Sequence, residues 1–334
     1  MAALLILVVT GSSFSLAQET RVRFTLDWAV QGPQAPFLVA LERGYFRDEG
    51  LNVTIDRGFG SADAVTKVAS AAYDMGFADI NSMIEFNASN PEQALVAVAM
   101  IYNNPPLSIL TLRDRDISAP EALAGRTLGA PAGDASRRLF PIFAAATGLD
   151  PDSVTWVTMD PPLREPMLIR GDVDAISGFF FTSLLNLTAA GVAADEVVTF
   201  LYSDYGVDLY GNAVIAPPAL LEENPEAVRG FLRALTRGWQ DTLSNPEGAI
   251  AVIQERDPLT DAPVERERLM LAIDATMLTP EVMEQGFGAV DMARLTRAIE
   301  QVVAAFELTT TPSAESIFDG DFLPPLEERM PPNP

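Results

Sequence analysis

The chain has 334 residues but no cysteine and no histidine. Without cysteine there is no disulfide, no thiolate metal site, no cysteine nucleophile and no thiol that could carry a lipid. Without histidine the chain lacks the commonest general base and the commonest metal ligand of proteins. We therefore expect neither a metal ion nor another cofactor, and no lipid anchor attached through cysteine.

Positive charge is also scarce: the chain has 22 Lys and Arg residues but 46 Asp and Glu residues, which gives a formal net charge of −24. A nucleic acid needs a basic surface to neutralise its phosphates, so we expect no nucleic-acid partner. Hydrophobic residues make up 48% of the chain and the mean hydropathy is +0.16, as in well-packed globular proteins. The length suits two α/β lobes.

The first 17 residues have the pattern of a secretory signal. An apolar run, Ala2–Val9, is followed by a polar break and then by Ser15-Leu16-Ala17, which resembles a cleavage site. The run is too short to span a bilayer as a helix. No Lys or Arg precedes it, which leaves open a start upstream of Met1. We expect cleavage before Gln18 and export to the periplasm; a buried first helix is the alternative.

Strand-like and helix-like segments alternate through the first third of the chain. Strands are predicted at 22–26, 51–55, 75–78 and 94–101, and helices at 36–43, from Ser61 and at 81–87. The run 94–101 is apolar on both faces, as a central parallel strand must be. This order predicts a parallel sheet covered by helices.

The breaker cluster Asn103-Asn104-Pro105-Pro106 interrupts the alternation, which then restarts. Beyond it we predict strands at 109–112, 127–130, 154–159, 174–177 and 197–202, helices at 134–147, 162–170 and 182–190, and further helices through residue 306. We expect two chain crossings, near 103–107 and 209–213. Lobe I would contain 18–104 and 212–334, and lobe II 105–211; one large doubly wound sheet is the alternative.

Several short motifs resemble one known family. They are Leu26-Asp27-Trp28, Leu41-Glu42-Arg43-Gly44-Tyr45-Phe46, Gly50-Leu51-Asn52-Val53, Gly58-Phe59-Gly60-Ser61 and the run Tyr73–Asp79. Their order and spacing resemble the NMT1/THI5-like solute-binding proteins of ABC importers, which include sulfonate, nitrate and thiamine-pyrimidine receptors. The resemblance implies the type II periplasmic-binding-protein fold, two α/β lobes joined by two chain crossings that close on a solute. It also implies a periplasmic monomer that delivers a small molecule to an inner-membrane ABC permease.

Ligands of open α/β sheets bind at the carboxyl ends of the strands, and this rule selects the candidate binding residues. In lobe I they are Asp27, Trp28, Gln31, Gln34, Phe59, Ser61, Asp79, Asn81 and Tyr102. In lobe II and the second crossing they are Gly133, Asp134, Ser136, Asp160, Ser177, Phe179, Tyr205 and Tyr210. Trp28 is well placed to stack on a planar ligand, the alternative being a core tryptophan. Asp79 either accepts hydrogen bonds from ligand amino groups or caps the following helix.

The charges around these positions bear on the class of ligand. Gly60-Ser61 and Gly133-Asp134 each open a helix, where backbone N–H groups can bind an anion, but neither has the lysine of a phosphate loop. Asp27, Asp79 and Asp160 make a buried anion costly unless Arg137 or Arg164 reaches it. We therefore predict a planar, neutral or amino-bearing heteroaromatic such as a thiamine pyrimidine precursor; a sulfonate, nitrate or aromatic acid is the alternative.

Two other functions are disfavoured by the sequence. The resemblance extends to THI5-like pyrimidine synthases, which use a pocket histidine and a cysteine-rich motif that this chain lacks. Where such members carry Asn-His-Thr in the first loop, this chain has Gln31-Gly32-Pro33-Gln34-Ala35. We therefore expect no enzymatic activity. A ligand-sensing regulator would need a DNA-binding module, and we expect none in these 334 residues.

Overall fold

The computed structural model describes residues 19–332 and contains two five-stranded sheets; the predicted signal segment lies outside these residues. The first sheet has the order β2-β1-β3-β10-β4, with β1 (Thr20–Thr25), β2 (Leu51–Asp56), β3 (Met75–Asp79), β4 (Val96–Met100) and β10 (Asn212–Ala216). The second has the order β7-β6-β8-β5-β9, with β5 (Leu107–Leu112), β6 (Thr127–Ala130), β7 (Thr155–Thr158), β8 (Ala175–Phe179) and β9 (Val197–Leu201). The two α/β lobes predicted from the sequence are present, rather than one large sheet.

Both sheets are mixed, so the prediction of wholly parallel sheets is wrong. β10 runs antiparallel to β3 and β4, and β5 runs antiparallel to β8 and β9. Each of these strands enters its sheet from the other lobe through a crossing segment, so no helical crossover forces it to be parallel. All five residues of β10 are buried, and such an apolar strand carries no signal of its direction.

Helices cover both sheets. Those between residues 35 and 189 are α1 (Ala35–Glu42), α2 (Tyr45–Asp48), α3 (Ser61–Ala69), α4 (Ile80–Ser89), α5 (Ala135–Arg138), α6 (Phe140–Thr147), α7 (Arg164–Arg170) and α8 (Phe180–Ala189). Those after β10 are α9 (Pro218–Glu223), α10 (Pro225–Ser244), α11 (Pro246–Arg256), α12 (Ala262–Ala272), α13 (Pro280–Gln285), α14 (Met292–Ala305) and α15 (Ala314–Ile317). Among the described residues, no helix is both long and apolar enough to cross a membrane.

Proline explains where the observed helices depart from the predicted ones. The helix predicted over 134–147 is divided into α5 and α6, because Pro141 has no N–H to donate to the preceding turn. The helices that follow β10 are interrupted at Asn224, directly before Pro225. In the 162–170 segment the α-helix begins only at Arg164, after a 3₁₀ turn.

The two crossing segments lie side by side and are held by one arginine of α14. Arg294 donates from Nη1 to the Asn103 side-chain oxygen at 3.2 Å, and from Nη2 to the Leu209 carbonyl at 2.9 Å. Its guanidinium also lies over the Tyr210 ring, 4.2 Å from the centroid. The chain therefore passes between the two sheets at two adjacent segments, which Arg294 holds together as a hinge. The lobe boundaries at 104/105 and 211/212 stay a prediction.

On the hinge side the two lobes share a hydrophobic core. One continuous cluster contains Ile80 of α4, Leu128 of the second sheet, Phe143 of α6 and Leu295 of α14. α14 packs against both α4 and α6. Because this side is packed and close-packed cores resist deformation, any opening must occur on the opposite side, where the carboxyl ends of the strands meet.

Candidate ligand-binding site

A narrow cavity lies between the lobes at the carboxyl ends of their parallel strands. The space free of atoms is about 360 Å³, but the centre of a water molecule can reach only about 20 Å³ of it. The cavity is therefore a thin slot in this closed arrangement. Its lining residues are Asp27, Trp28, Gln34, Gly60, Ser61, Asp134, Ala135, Arg164, Phe179, Phe181 and Thr182.

The lobes touch directly beside this slot. The Ala62 N–H donates to the Gly133 carbonyl at 3.3 Å, and the Thr182 hydroxyl lies 3.2 Å from the Gln31 side-chain oxygen. Gly60 has a φ of +126°, and a Cβ atom there would lie 2.2 Å from the Gly133 oxygen. Only glycine allows this close approach of the two loops.

Trp28 and Arg164 face each other across the slot. Trp28 follows β1 in the first lobe, and Arg164 begins α7 in the second. The Arg164 Cζ atom lies 5.1 Å from the centroid of the Trp28 ring. The sequence left open whether Arg137 or Arg164 would reach the site, and it is Arg164 that lines the cavity. The Arg137 guanidinium instead lies over the ring of Trp156, outside the cavity.

The Arg164 guanidinium is fully buried and is held by two carboxylates. Its Nε and Nη2 groups donate to Glu165 Oε1 at 3.0 and 2.8 Å, and Nη1 lies 3.4 Å from Asp134 Oδ2. Asp134 also accepts from the Ser177 hydroxyl at 2.7 Å. Buried charges are costly unless paired, and here each carboxylate has a donor. The hydrogen bonds use the edges of the guanidinium, so neither carboxylate covers the side that lies over Trp28.

Asp27 is the buried carboxyl group on the first-lobe side of the cavity. It accepts hydrogen bonds from the Asn212 amide at 2.8 Å and from the Gln34 amide at 3.4 Å. Burial, together with the negative charge of nearby Asp79, raises the pKa of Asp27 to about 7 against the opposing effect of its hydrogen bonds. Near neutral pH this group therefore exists both as a carboxylate, which accepts hydrogen bonds, and as an acid, which can donate one.

Asp79 lies in the interior and does not line the cavity. It caps α4 by accepting from the Ser82 N–H at 2.8 Å, and it accepts from the Asn81 amide at 3.2 Å. Burial raises its pKa to about 7 as well. Of the two roles that the sequence allowed for Asp79, the structure shows the helix cap.

Apart from Asp79, the candidates predicted from the sequence fall into three groups. Six line the cavity: Asp27, Trp28, Gln34, Ser61, Asp134 and Phe179. Five others lie directly behind the cavity walls or at the contact between the lobes: Gln31, Tyr102, Gly133, Ser136 and Ser177. Each of them bonds to or contacts a lining residue or a neighbour of one. Tyr102 is fully buried and its hydroxyl has no hydrogen-bond partner among the described residues.

The other candidates lie apart from the cavity. Phe59 is half exposed and Asp160 is exposed. Tyr205 packs against Phe143, on the hinge side. Tyr210 donates its hydroxyl to Glu281, and Asn81 donates to the Tyr210 carbonyl.

Apart from Gly60, which directly precedes the candidate Ser61, three lining residues were not among the candidates: Ala135, Phe181 and Thr182; Arg164 was considered only conditionally. All of them lie in the first turns of helices that follow the strand ends. Extending the strand-end rule by one helical turn would have selected them. Phe181 packs in the first-lobe core as well as lining the slot.

Two α/β lobes joined by two crossings, with a cavity between their strand ends, define a periplasmic-binding-protein architecture. The family description "NMT1/THI5 like" matches residues 32–249, about two thirds of the chain. The chain belongs to the NMT1/THI5-like family.

Known relatives include both binding proteins and enzymes. The chain is 26% identical over 258 residues to a formylaminopyrimidine-binding protein of Halalkalibacterium halodurans, covering 76% of this chain and 77% of that protein. It is 26% identical over 296 residues to the riboflavin-binding protein RibY of Chloroflexus aurantiacus, covering 87% and 82%. It is also 25% identical over 256 residues to a 4-amino-5-hydroxymethyl-2-methylpyrimidine phosphate synthase of Aspergillus parasiticus, covering 74% of each.

Solved structures share the fold at lower identity. The alkanesulfonate-binding protein SsuA of Xanthomonas axonopodis pv. citri, bound to MOPS, matches with a TM-score of 0.70 and 15% identity, covering 91% of this chain and 99% of that one. This likeness shows the fold and carries no information on the ligand.

Proposed function

We propose that this chain is a periplasmic solute-binding protein that closes on a small planar heteroaromatic ring and delivers it to an ABC permease. The observation that carries this proposal is the slot between the lobes, with the indole of Trp28 on one wall and the buried carboxyl group of Asp27 beside it. An indole stacks on flat rings, and a buried carboxyl group recognises ring N–H or amino groups. The protein would act without a lipid anchor and as a monomer.

The cavity size favours a single ring. In this closed arrangement the centre of a water molecule reaches only about 20 Å³ of the slot, far below the roughly 300–1,000 Å³ of ligand pockets. The slot therefore has to open for any ligand, and a single ring requires less opening than a larger ring system. A pyrimidine therefore suits it better than the three fused rings of riboflavin. The similarity to a formylaminopyrimidine-binding protein supports the same choice.

Asp27 takes the acceptor role that the sequence allowed for Asp79. Asp79 is committed to capping α4, and Asp160 lies on the surface. Arg164 adds a positive charge to the cavity wall, but two carboxylates occupy its edges. A sulfonate or another oxyanion would have to compete with Asp134 and Glu165 for these donors, so the neutral or amino-bearing ring remains the preferred ligand.

We expect the purified protein to bind one pyrimidine per chain and to release it unchanged, because histidine and cysteine are absent from the sequence. The measurement is mass spectrometry of 4-amino-5-hydroxymethyl-2-methylpyrimidine after incubation, with pyridoxal phosphate incubated in parallel. A pyrimidine formed from pyridoxal phosphate would show a synthase, since the relatives include such enzymes. Riboflavin, tested in a third incubation, checks the choice of a single ring.

We also expect the ligand-bound protein to be more compact than the ligand-free protein in solution. The largest shared core of the two lobes lies on the hinge side, so we expect the cavity side to part and close about the crossing segments. Small-angle X-ray scattering with and without a saturating pyrimidine measures this change. Identical radii of gyration would contradict hinged closure.

A further inference from the structure

We propose that the ligand ring is held between two flat groups from different lobes, the Trp28 indole of the first and the Arg164 guanidinium of the second. This inference rests on the proposed function and specifies the class of ring that the site selects. Arg164 thereby becomes a residue that determines specificity, favouring uncharged rings over permanently cationic ones.

The orientation of the guanidinium supports this arrangement. Three of its N–H groups point along its edges to Glu165 and Asp134, so neither carboxylate covers a face. One face lies over the Trp28 ring at 5.1 Å. With the side chain fully buried and its edges bound, the plane of the group is set before a ligand arrives, which reduces the entropy lost on binding.

The spacing shows that the slot has to widen before a ring can enter. A ring stacked on both sides needs about 3.5–4 Å to each neighbour, about 7–8 Å in total, whereas Arg164 and Trp28 are 5.1 Å apart. Because one group belongs to each lobe, a small opening about the hinge supplies the missing 2–3 Å or so. In the closed arrangement the guanidinium itself occupies the stacking surface of Trp28.

The charge of Arg164 sets the selectivity. A guanidinium is planar and stacks on the face of a neutral aromatic ring, but it repels a ring that carries a fixed positive charge. Asp134 and Glu165 offset the guanidinium charge, but they do so at its edges, away from the face that meets the ring. The buried carboxyl group of Asp27 also lines the cavity and would accept hydrogen bonds from amino groups at the edge of the ring.

The test compares matched ligands by isothermal titration calorimetry at pH 8. The ligands are 4-amino-5-hydroxymethyl-2-methylpyrimidine, the same compound methylated on a ring nitrogen so that it carries a fixed charge, and a neutral analogue with the extra methyl group on carbon. The parent protein should bind the neutral analogue at least tenfold more tightly than the cation. Equal affinity, or a preference for the cation, would overturn the proposal, and this comparison needs no variant.

Two variants separate the shape of the guanidinium from its charge. Arg164→Lys keeps the charge but loses the plane, and should weaken binding of the neutral pyrimidine about tenfold. Arg164→Gln with Glu165→Gln keeps a flat group without charge, and should abolish the discrimination against the cation. Arg137→Lys is the matched control, because Arg137 lies over Trp156 at the same 5.1 Å but outside the cavity, and it should bind like the parent.

The outcomes distinguish this inference from the proposed function. Unchanged affinity in Arg164→Lys, with a pyrimidine bound by the parent, would overturn the sandwich and leave the solute-binding function standing. Failure of the parent protein to bind any of the ring compounds would overturn both.

Discussion

Trp28→Ala should lower the affinity for 4-amino-5-hydroxymethyl-2-methylpyrimidine by well over tenfold. The indole is the largest flat surface lining the slot, and its removal takes away both the stacking partner of the ligand and one wall of the cavity. Because Trp28 is only partly buried in the closed protein, the substitution should leave the fold intact. Isothermal titration calorimetry on the parent and the variant measures the change.

Phe59→Ala is the matched control for this experiment. Phe59 is an aromatic residue of the loop after β2, in the same lobe, but half of its surface is exposed and it does not line the cavity. Its removal should change the affinity by less than about twofold, since exposed side chains outside an interface contribute little. A Trp28→Ala protein that binds as tightly as the parent would refute the role assigned to Trp28.

Asp27→Asn should stabilise the protein increasingly as the pH rises from about 4 to about 7. In the folded protein the pKa of Asp27 is raised to about 7 by burial, whereas an unfolded aspartate titrates near its ordinary value. Between these two values the folded state holds more protons than the unfolded state, so the free energy of unfolding of the parent falls with rising pH. One group with this shift accounts for about 4 kcal/mol across that window, and asparagine removes the effect.

Urea unfolding at several pH values measures this difference, with Asp160→Asn as the control because Asp160 is exposed. The difference between the Asp27 variant and the parent should grow up to about pH 7 and then stay level. Asp79, whose pKa is also raised to about 7, remains in both proteins and contributes a similar slope to each. A difference that does not change with pH would show that Asp27 is ionised in the folded protein throughout this range.

The sequence predicted the fold class because the signals for it are local. Alternating apolar residues and breakers such as Asn103-Asn104-Pro105-Pro106 reflect the backbone conformation of neighbouring residues. The same local order identified the strand ends, and with them six residues that line the cavity, including Trp28 and Asp27. Their roles in binding stay predictions.

The direction of β10 and β5 could not be predicted in the same way. Both strands are buried on both faces, so their composition is the same whichever way they run. Their partners lie far away in the sequence, as with Asn212 opposite Asp79. Only the path of the chain between the lobes decides the pairing.

By itself the sequence determined that the chain forms two α/β lobes and that residues at strand ends line the cavity between them, because periodicity and turn residues act over short distances. Tertiary structure alone decided which polar groups face the ligand space. Arg164 lines the slot because hydrogen bonds to Glu165 and Asp134 hold its guanidinium there. Asp79 does not face the slot, because its carboxylate accepts a hydrogen bond from the first turn of α4. Such choices depend on which donors and acceptors the fold brings together from distant parts of the chain, since each buried polar group must find a partner.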